Sequence, residues 1–100
     1  MGEVFVGLDA GSSVCKAGVF DLRGRCLAVE SEATPLARRP GGRVEADPAR
    51  AWAAACAVLR RVSGGLPADA RIAGLGVSGA MVGAWVVDAK GHAIGPGINW

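Results

Sequence analysis

The stretch VFVGLDAGSSVCKAGVFD, residues 4–21, decides how this chain is read. An apolar run, Val4 to Leu8, ends in Asp9 and a set of small residues, Ala10-Gly11-Ser12-Ser13, before a second β-leaning run carries Lys16 and closes on Asp21. Two such runs joined by a few small residues predict a β-hairpin. Its tip supports two readings. Asp, Gly and Ser are ordinary turn residues, because Asp and Ser bond nearby backbone groups and Gly tolerates positive φ. The same tip is also suited to an anion, since successive backbone N–H groups form concave anion sites. Asp9 would then be a ligand for a hard cation and Lys16 a point charge beside a phosphate. A lysine on a strand equally fits a solvated face.

Size and composition narrow the classes. One hundred residues make at most one domain with a thin core. Apolar residues at 51%, charged residues at 20% and 16 glycines exclude a disordered or fibrous chain and imply many tight turns. A net charge of +2 gives no argument for nucleic acid or an anionic membrane as partner. Arg38, Arg39 and Arg43 cluster around Pro40-Gly41-Gly42 and read as a solvated loop. Cys15, Cys26 and Cys56 are odd in number and widely spaced, with only His92 as an imidazole, so they support neither a disulfide framework nor a zinc site. Cys15 and Cys56 fall at apolar positions and read as small hydrophobes. Reduced thiols, no signal peptide and no apolar window of membrane-spanning length predict a soluble, cytoplasmic protein.

Beyond the first hairpin, Asp21-Leu22-Arg23-Gly24 is a turn signal and the run after Arg25, CLAVE, a third strand. Residues 34–47 hold two prolines and a Gly pair without periodicity, which predicts a long surface loop. Asp47 then caps a helix that starts on Pro48 and runs through ARAWAAACAVLRRV to a stop at Ser63-Gly64-Gly65. Trp52, Ala55, Cys56, Leu59 and Val62 fall on one stripe and are expected in the core, with Arg50, Arg60 and Arg61 off it. Arg71 to Ser78, RIAGLGVS, reads as a strand buried on both faces, parallel to the meander and reached through the helix. Gly79-Ala80-Met81 follows at its carboxyl end, where open α/β sheets bind ligands. Val82 to Ile94 predicts another hairpin, whose VVDAKGHAI repeats the layout of VFDLRGRCL at Val19 to Leu27. Both tips read as turn chemistry, which gives Asp21 and Asp88 no catalytic role.

Three stretches in this order resemble the amino-terminal part of the FGGY carbohydrate kinases, a group that includes glycerol kinases and xylulokinases. GLDAGSSVCKAGVFDLRGR looks like their phosphate hairpin, GGRVEADPARAW like their segment leading into the first helix, and IAGLGVSGAMVGAWVVDAKGHAIGPGINW like their strand, substrate loop and hairpin. The resemblance implies an α/β, ribonuclease H-like (actin-like ATPase) fold, here partial: three-stranded antiparallel meander, crossover helix, parallel strand and further hairpin. Residues 1–100 would form the amino-terminal part of the first kinase domain, without the second, nucleotide-binding domain. The implied activity is ATP-dependent phosphorylation of a sugar or polyol hydroxyl. Asp9 would hold Mg²⁺ through water, Gly11, Ser12, Ser13 and Lys16 would contact the phosphates, and Gly79, Ala80 and Met81 would belong to the substrate site. No catalytic base falls within the chain; the resemblance places it beyond Trp100.

The chain departs from xylulokinase-like members at Ala80-Met81-Val82-Gly83, where they carry Gln-Met-His-Gly. Two side chains able to bond substrate hydroxyls are thereby lost, which argues against D-xylulose as the acceptor. The chain is expected to be a fragment, inactive and poorly soluble alone, of an enzyme that could be a homodimer and has no nucleic-acid or membrane partner. Two rivals remain: a ribonuclease H-like metal-dependent nuclease, and a non-catalytic relic of a kinase. The first needs further carboxylates converging on its metals.

Overall fold

The structure, a computed structural model, describes residues 2–80 and 83–99. In chain order these form strands β1 (Glu3–Ala10), β2 (Val14–Phe20), β3 (Cys26–Ala33), β4 (Leu36–Arg38) and β5 (Val44–Ala46), with a 3₁₀ turn at Pro40–Gly42. Helix α1 (Pro48–Gly64) and strands β6 (Arg71–Gly79), β7 (Gly83–Ala84) and β8 (Gly97–Asn99) follow. One sheet has the order β3-β2-β1-β6 and a second the order β4-β5-β8-β7.

The first sheet is the predicted meander with a parallel strand added. β1 and β2 pair antiparallel, β2 and β3 antiparallel, and β1 and β6 parallel after the α1 crossover. Strand alternation sorts its side chains. Val4, Val6 and Leu8 of β1 and Cys15, Ala17 and Val19 of β2 are buried against Ala54, Ala55, Val58 and Val62 of α1. Phe5, Gly7, Asp9, Lys16, Gly18 and Phe20 therefore belong to the opposite face.

Local chemistry sets the element ends. The Asp47 carboxylate accepts the Ala49 amide at 3.0 Å, with Pro48 at the first helical position, as its residue type predicts. The two matching turns are built alike. Asp21 Oδ1 accepts the amides of Arg23 and Arg25 at 2.9 Å, and Asp88 Oδ1 accepts those of Lys90 and His92 at 2.9 Å. Gly24 and Gly91 take positive φ at the same place in each. Around the second turn the pairing is a bridge between Val87 and Ala93, rather than two full strands.

Three expectations are corrected. Residues 34–47 are not a loop: β4 and β5 form a hairpin, and β8 pairs with the other edge of β5. Three-residue strands are too short to show a period, and all of Val44, Glu45 and Ala46 are buried. The arginine cluster is accordingly more than a solvated loop, because Arg39 Nε lies 3.0 Å and Arg43 Nη2 3.7 Å from the buried Glu45 carboxylate. Trp52 is not core but 72% exposed. The helix rests on its alanines and valines, and at 3.6 residues per turn Trp52 points about 120° away from Val58.

Thirdly, β6 is parallel to β1 but not buried on both faces. It is the edge of its sheet, and α1 lies over β2, β3 and β1. Ile72, Leu75 and Val77 stand in register with Val4, Val6 and Leu8, on the helix-bearing face, yet all three are exposed. These three side chains on the edge strand are therefore left uncovered by α1. Arg61, expected off the apolar stripe, spans from α1 to β3: it meets Glu32 at 3.0 Å, Glu30 at 3.6 Å and the Ser31 carbonyl at 3.1 Å.

Candidate functional site

Antiparallel pairing places Asp9 directly opposite Lys16 at the open end of the first hairpin. Both are exposed and both face away from α1. With Gly7, Gly18, Phe20 and Gly76 they line a groove of about 490 Å³. One carboxylate and one ammonium thus share the rim of a largely apolar trough. Among the described residues, Lys16 makes no ion pair.

β6 adds a residue that the sequence did not single out. Parallel register sets Ser78 beside Asp9, and the Ser78 hydroxyl donates to Asp9 Oδ1 at 3.2 Å. That bond orients the carboxylate and leaves Oδ2 without a protein partner among the described residues. Ser78 could have been found only by aligning two strands far apart in sequence.

The tip itself is tight. The Gly11 amide donates to the Val14 carbonyl at 3.1 Å, and a Cβ on Gly11 would stand 2.8 Å from that same oxygen. No larger residue fits without moving the turn. Thr34, just beyond β3, braces it twice: its amide donates to the Ser13 carbonyl at 3.0 Å and its hydroxyl to the Gly11 carbonyl at 2.8 Å. The amides and hydroxyls of Ser12 and Ser13 donate to no protein group among the described residues. Unspent donors in a small-residue turn are what an anion requires.

Behind the tip, Cys15 is buried, and burial pushes its thiol above the ordinary value of 9.0, with the negative charges of Glu32 and Asp9 acting in the same direction. Gly79 pairs with Ala10, and Ala80 lines a small cavity of about 60 Å³ together with Gly11, Ser12, Thr34 and Trp85. The Trp85 ring lies so close to Gly97 that a Cβ there would fall 2.5 Å from it. Asp9, Gly11, Ser12, Ser13, Lys16, Gly79 and Ala80 therefore gather at one end of the first sheet. Met81 lies outside the described residues.

The donor set can be tested against magnesium. Among the described residues, no group of three His, Cys, Asp or Glu side chains converges. A single exposed carboxylate with one free oxygen suits an ion that keeps most of its waters and takes further oxygens from phosphate. The residues fit such an ion. Among the described residues, no helix is long and apolar enough to cross a membrane.

Comparison with known proteins shows the family and the fold. Residues 4–100 match the model of the FGGY family of carbohydrate kinases, N-terminal domain. An erythritol kinase of Brucella abortus (strain 2308) is 31% identical over 100 residues, covering 99% of this chain and 19% of its own. The crystal structure of a xylulose kinase from Rhodospirillum rubrum superposes with a TM-score of 0.85 at 32% identity, over 93% of this chain and 19% of that one. A xyloylose kinase from Brucella ovis gives a TM-score of 0.87 at 29% identity, over 95% of this chain and 20% of that one. The chain thus spans about a fifth of the length of these relatives.

Proposed function

The chain belongs to the FGGY family of carbohydrate kinases, and from that premise we propose that it supplies the phosphate-binding hairpin of an ATP-dependent sugar or polyol kinase. Residues 1–100 form the amino-terminal part of the first of two domains, the second holding the nucleotide base. The three free thiols suit a reducing cytoplasm, where we place the protein. The observation that carries the reading is the open tip: Ser12 and Ser13 donors and a lysine that have no protein partner among the described residues, beside a carboxylate.

In phosphoryl transfer the protein contributes chiefly positioning and charge neutralisation. Ser12 and Ser13 donate to phosphate oxygens, Gly11 lets the backbone approach them, and Lys16 offsets negative charge at the transferred group. Asp9, oriented by Ser78, would be the residue that holds magnesium. Magnesium, when bound, neutralises the phosphate oxygens and keeps them in one arrangement. The acceptor enters beside Gly79, Ala80 and Met81, with the catalytic base outside residues 1–100. Since Ala80 and Val82 offer no side-chain hydrogen bond, the acceptor is recognised mainly by groups elsewhere, and D-xylulose is disfavoured.

The position beside Asp9 on β6 is a serine, not a second carboxylate, which favours the kinase over a two-metal nuclease. The complete protein carrying this chain should release ADP from ATP only when a suitable sugar or polyol is present, and Asp9→Asn should abolish that release. ADP release independent of every acceptor, or an unaffected Asp9→Asn enzyme, would refute the proposal.

A further inference from the structure

Thr34 stands outside the three stretches that define the site, yet it is the residue that ties the tip to the rest of the sheet. Its hydroxyl donates to the Gly11 carbonyl at 2.8 Å across 23 residues of sequence, and its amide to the Ser13 carbonyl at 3.0 Å. The two bonds grip the turn on both sides of Ser12. Thr34 is half-buried, in a cavity it shares with Cys15, Ala51 and Ala54, so it approaches from the side that α1 covers.

A peptide unit is planar and trans, so its C=O and N–H point in opposite directions. The Gly11 carbonyl and the Ser12 amide belong to one such unit. Drawing that carbonyl toward Thr34 turns the Ser12 N–H away from α1, to the side that carries Asp9 and Lys16. Without the hydroxyl, the peptide is free to rotate and the donor is lost from the site for part of the time.

We infer that Thr34 is a positioning residue for phosphoryl transfer, aiming the Ser12 amide at the phosphate through its bond to the Gly11 carbonyl. The inference rests on the kinase reading above. Its physical basis is that preorganised donors stabilise developing charge without reorganising during reaction.

The test uses the complete kinase carrying this chain, with Thr34→Val, which keeps the shape and deletes the hydroxyl, and Thr34→Ser, which keeps the hydroxyl. Losing an aligned donor costs on the order of 10²-fold in rate, and losing only its alignment should cost about 10-fold in kcat/KM for ATP. The KM for the acceptor should stay unchanged and Thr34→Ser should restore the rate. A loss below threefold, an equal effect on acceptor binding, or failure of the serine to rescue overturns the inference while the wild-type enzyme still confirms the kinase. A wild type inert toward every acceptor overturns both. Should Thr34→Val fail to fold, the wild-type amide resonance of Ser12 decides: it must shift on adding magnesium nucleotide, and a resonance that stays in place overturns the inference.

Discussion

The hydroxyl of Ser78 donates to Oδ1 of Asp9 at 3.2 Å, joining two strands that are 69 residues apart at these positions. This contact makes the carboxylate a fixed feature of the sheet rather than a loose side chain at a hairpin end. Partners of this kind typically contribute 10–100-fold in metal affinity or activity. Ser78→Ala should therefore raise the magnesium concentration for half-maximal rate by about 10-fold in the complete kinase and leave the acceptor KM unchanged. Magnesium titration of the rate measures it.

Gly11→Ala places a methyl group 2.8 Å from the Val14 carbonyl, a backbone atom that cannot swing aside. The turn must open, at a cost of roughly 1–3 kcal/mol, and the amides of Ser12 and Ser13 move with it. At Gly18 the corresponding Cβ meets the Phe20 ring at 3.0 Å, a side chain rather than a backbone atom. Gly18→Ala should thus keep more stability and far more activity than Gly11→Ala, as denaturant melts and ADP release would show.

The thiols differ in reactivity. Cys26 is exposed, whereas Cys15 is buried and its thiol is pushed above 9.0 by burial and by Glu32 and Asp9. Iodoacetamide at pH 8 should alkylate Cys26 first and Cys15 last, as mass spectrometry would register. Because the folded state holds the Cys15 proton more tightly than the unfolded chain, the unfolded state binds fewer protons above the ordinary thiol value. Stability linked to Cys15 is therefore full below pH 9.0 and falls as pH rises beyond it. Cys15→Ala should flatten that alkaline decline.

Acid acts through Asp21. Amides of Arg25 and Arg23 and the Arg25 guanidinium hold its carboxyl below the ordinary 3.8. Its contribution is present above 3.8 and is lost as pH falls through the lower folded value. Asp21→Asn should weaken the acid dependence of denaturant unfolding below pH 4, with no change in phosphate transfer.

Ile72, Leu75 and Val77 form an apolar strip on an edge strand, and Val77 is 65% exposed. Such edges drive association. Residues 1–100 alone should aggregate, and Leu75→Lys with Val77→Thr should raise the fraction that elutes as a monomer in gel filtration.

What the sequence disclosed depended on range. Asp47-Pro48 announced the helix and Asp21 and Asp88 their turns, because each acts on amides two to four residues away. The hairpin could be read for the same reason, and with it Asp9, Gly11 and Lys16. Trp52 misled because residue size is a weaker guide than the close approach that Ala54 and Ala55 allow between helix and sheet. The strand at Val44–Ala46 is held by β4 and β8, and its partner Gly97–Asn99 lies half the chain away. Ser78 and Thr34 were hidden likewise, since strand register rather than spacing brings them to the tip.

A crystal structure of the complete kinase with magnesium and a non-hydrolysable ATP analogue tests the central claim most directly. The account predicts the Ser12 and Ser13 amides within about 3 Å of terminal phosphate oxygens, with Asp9 reaching the metal through a water molecule. Terminal phosphates seated away from the Gly11–Ser13 turn, with Asp9 turned from the metal, would contradict it.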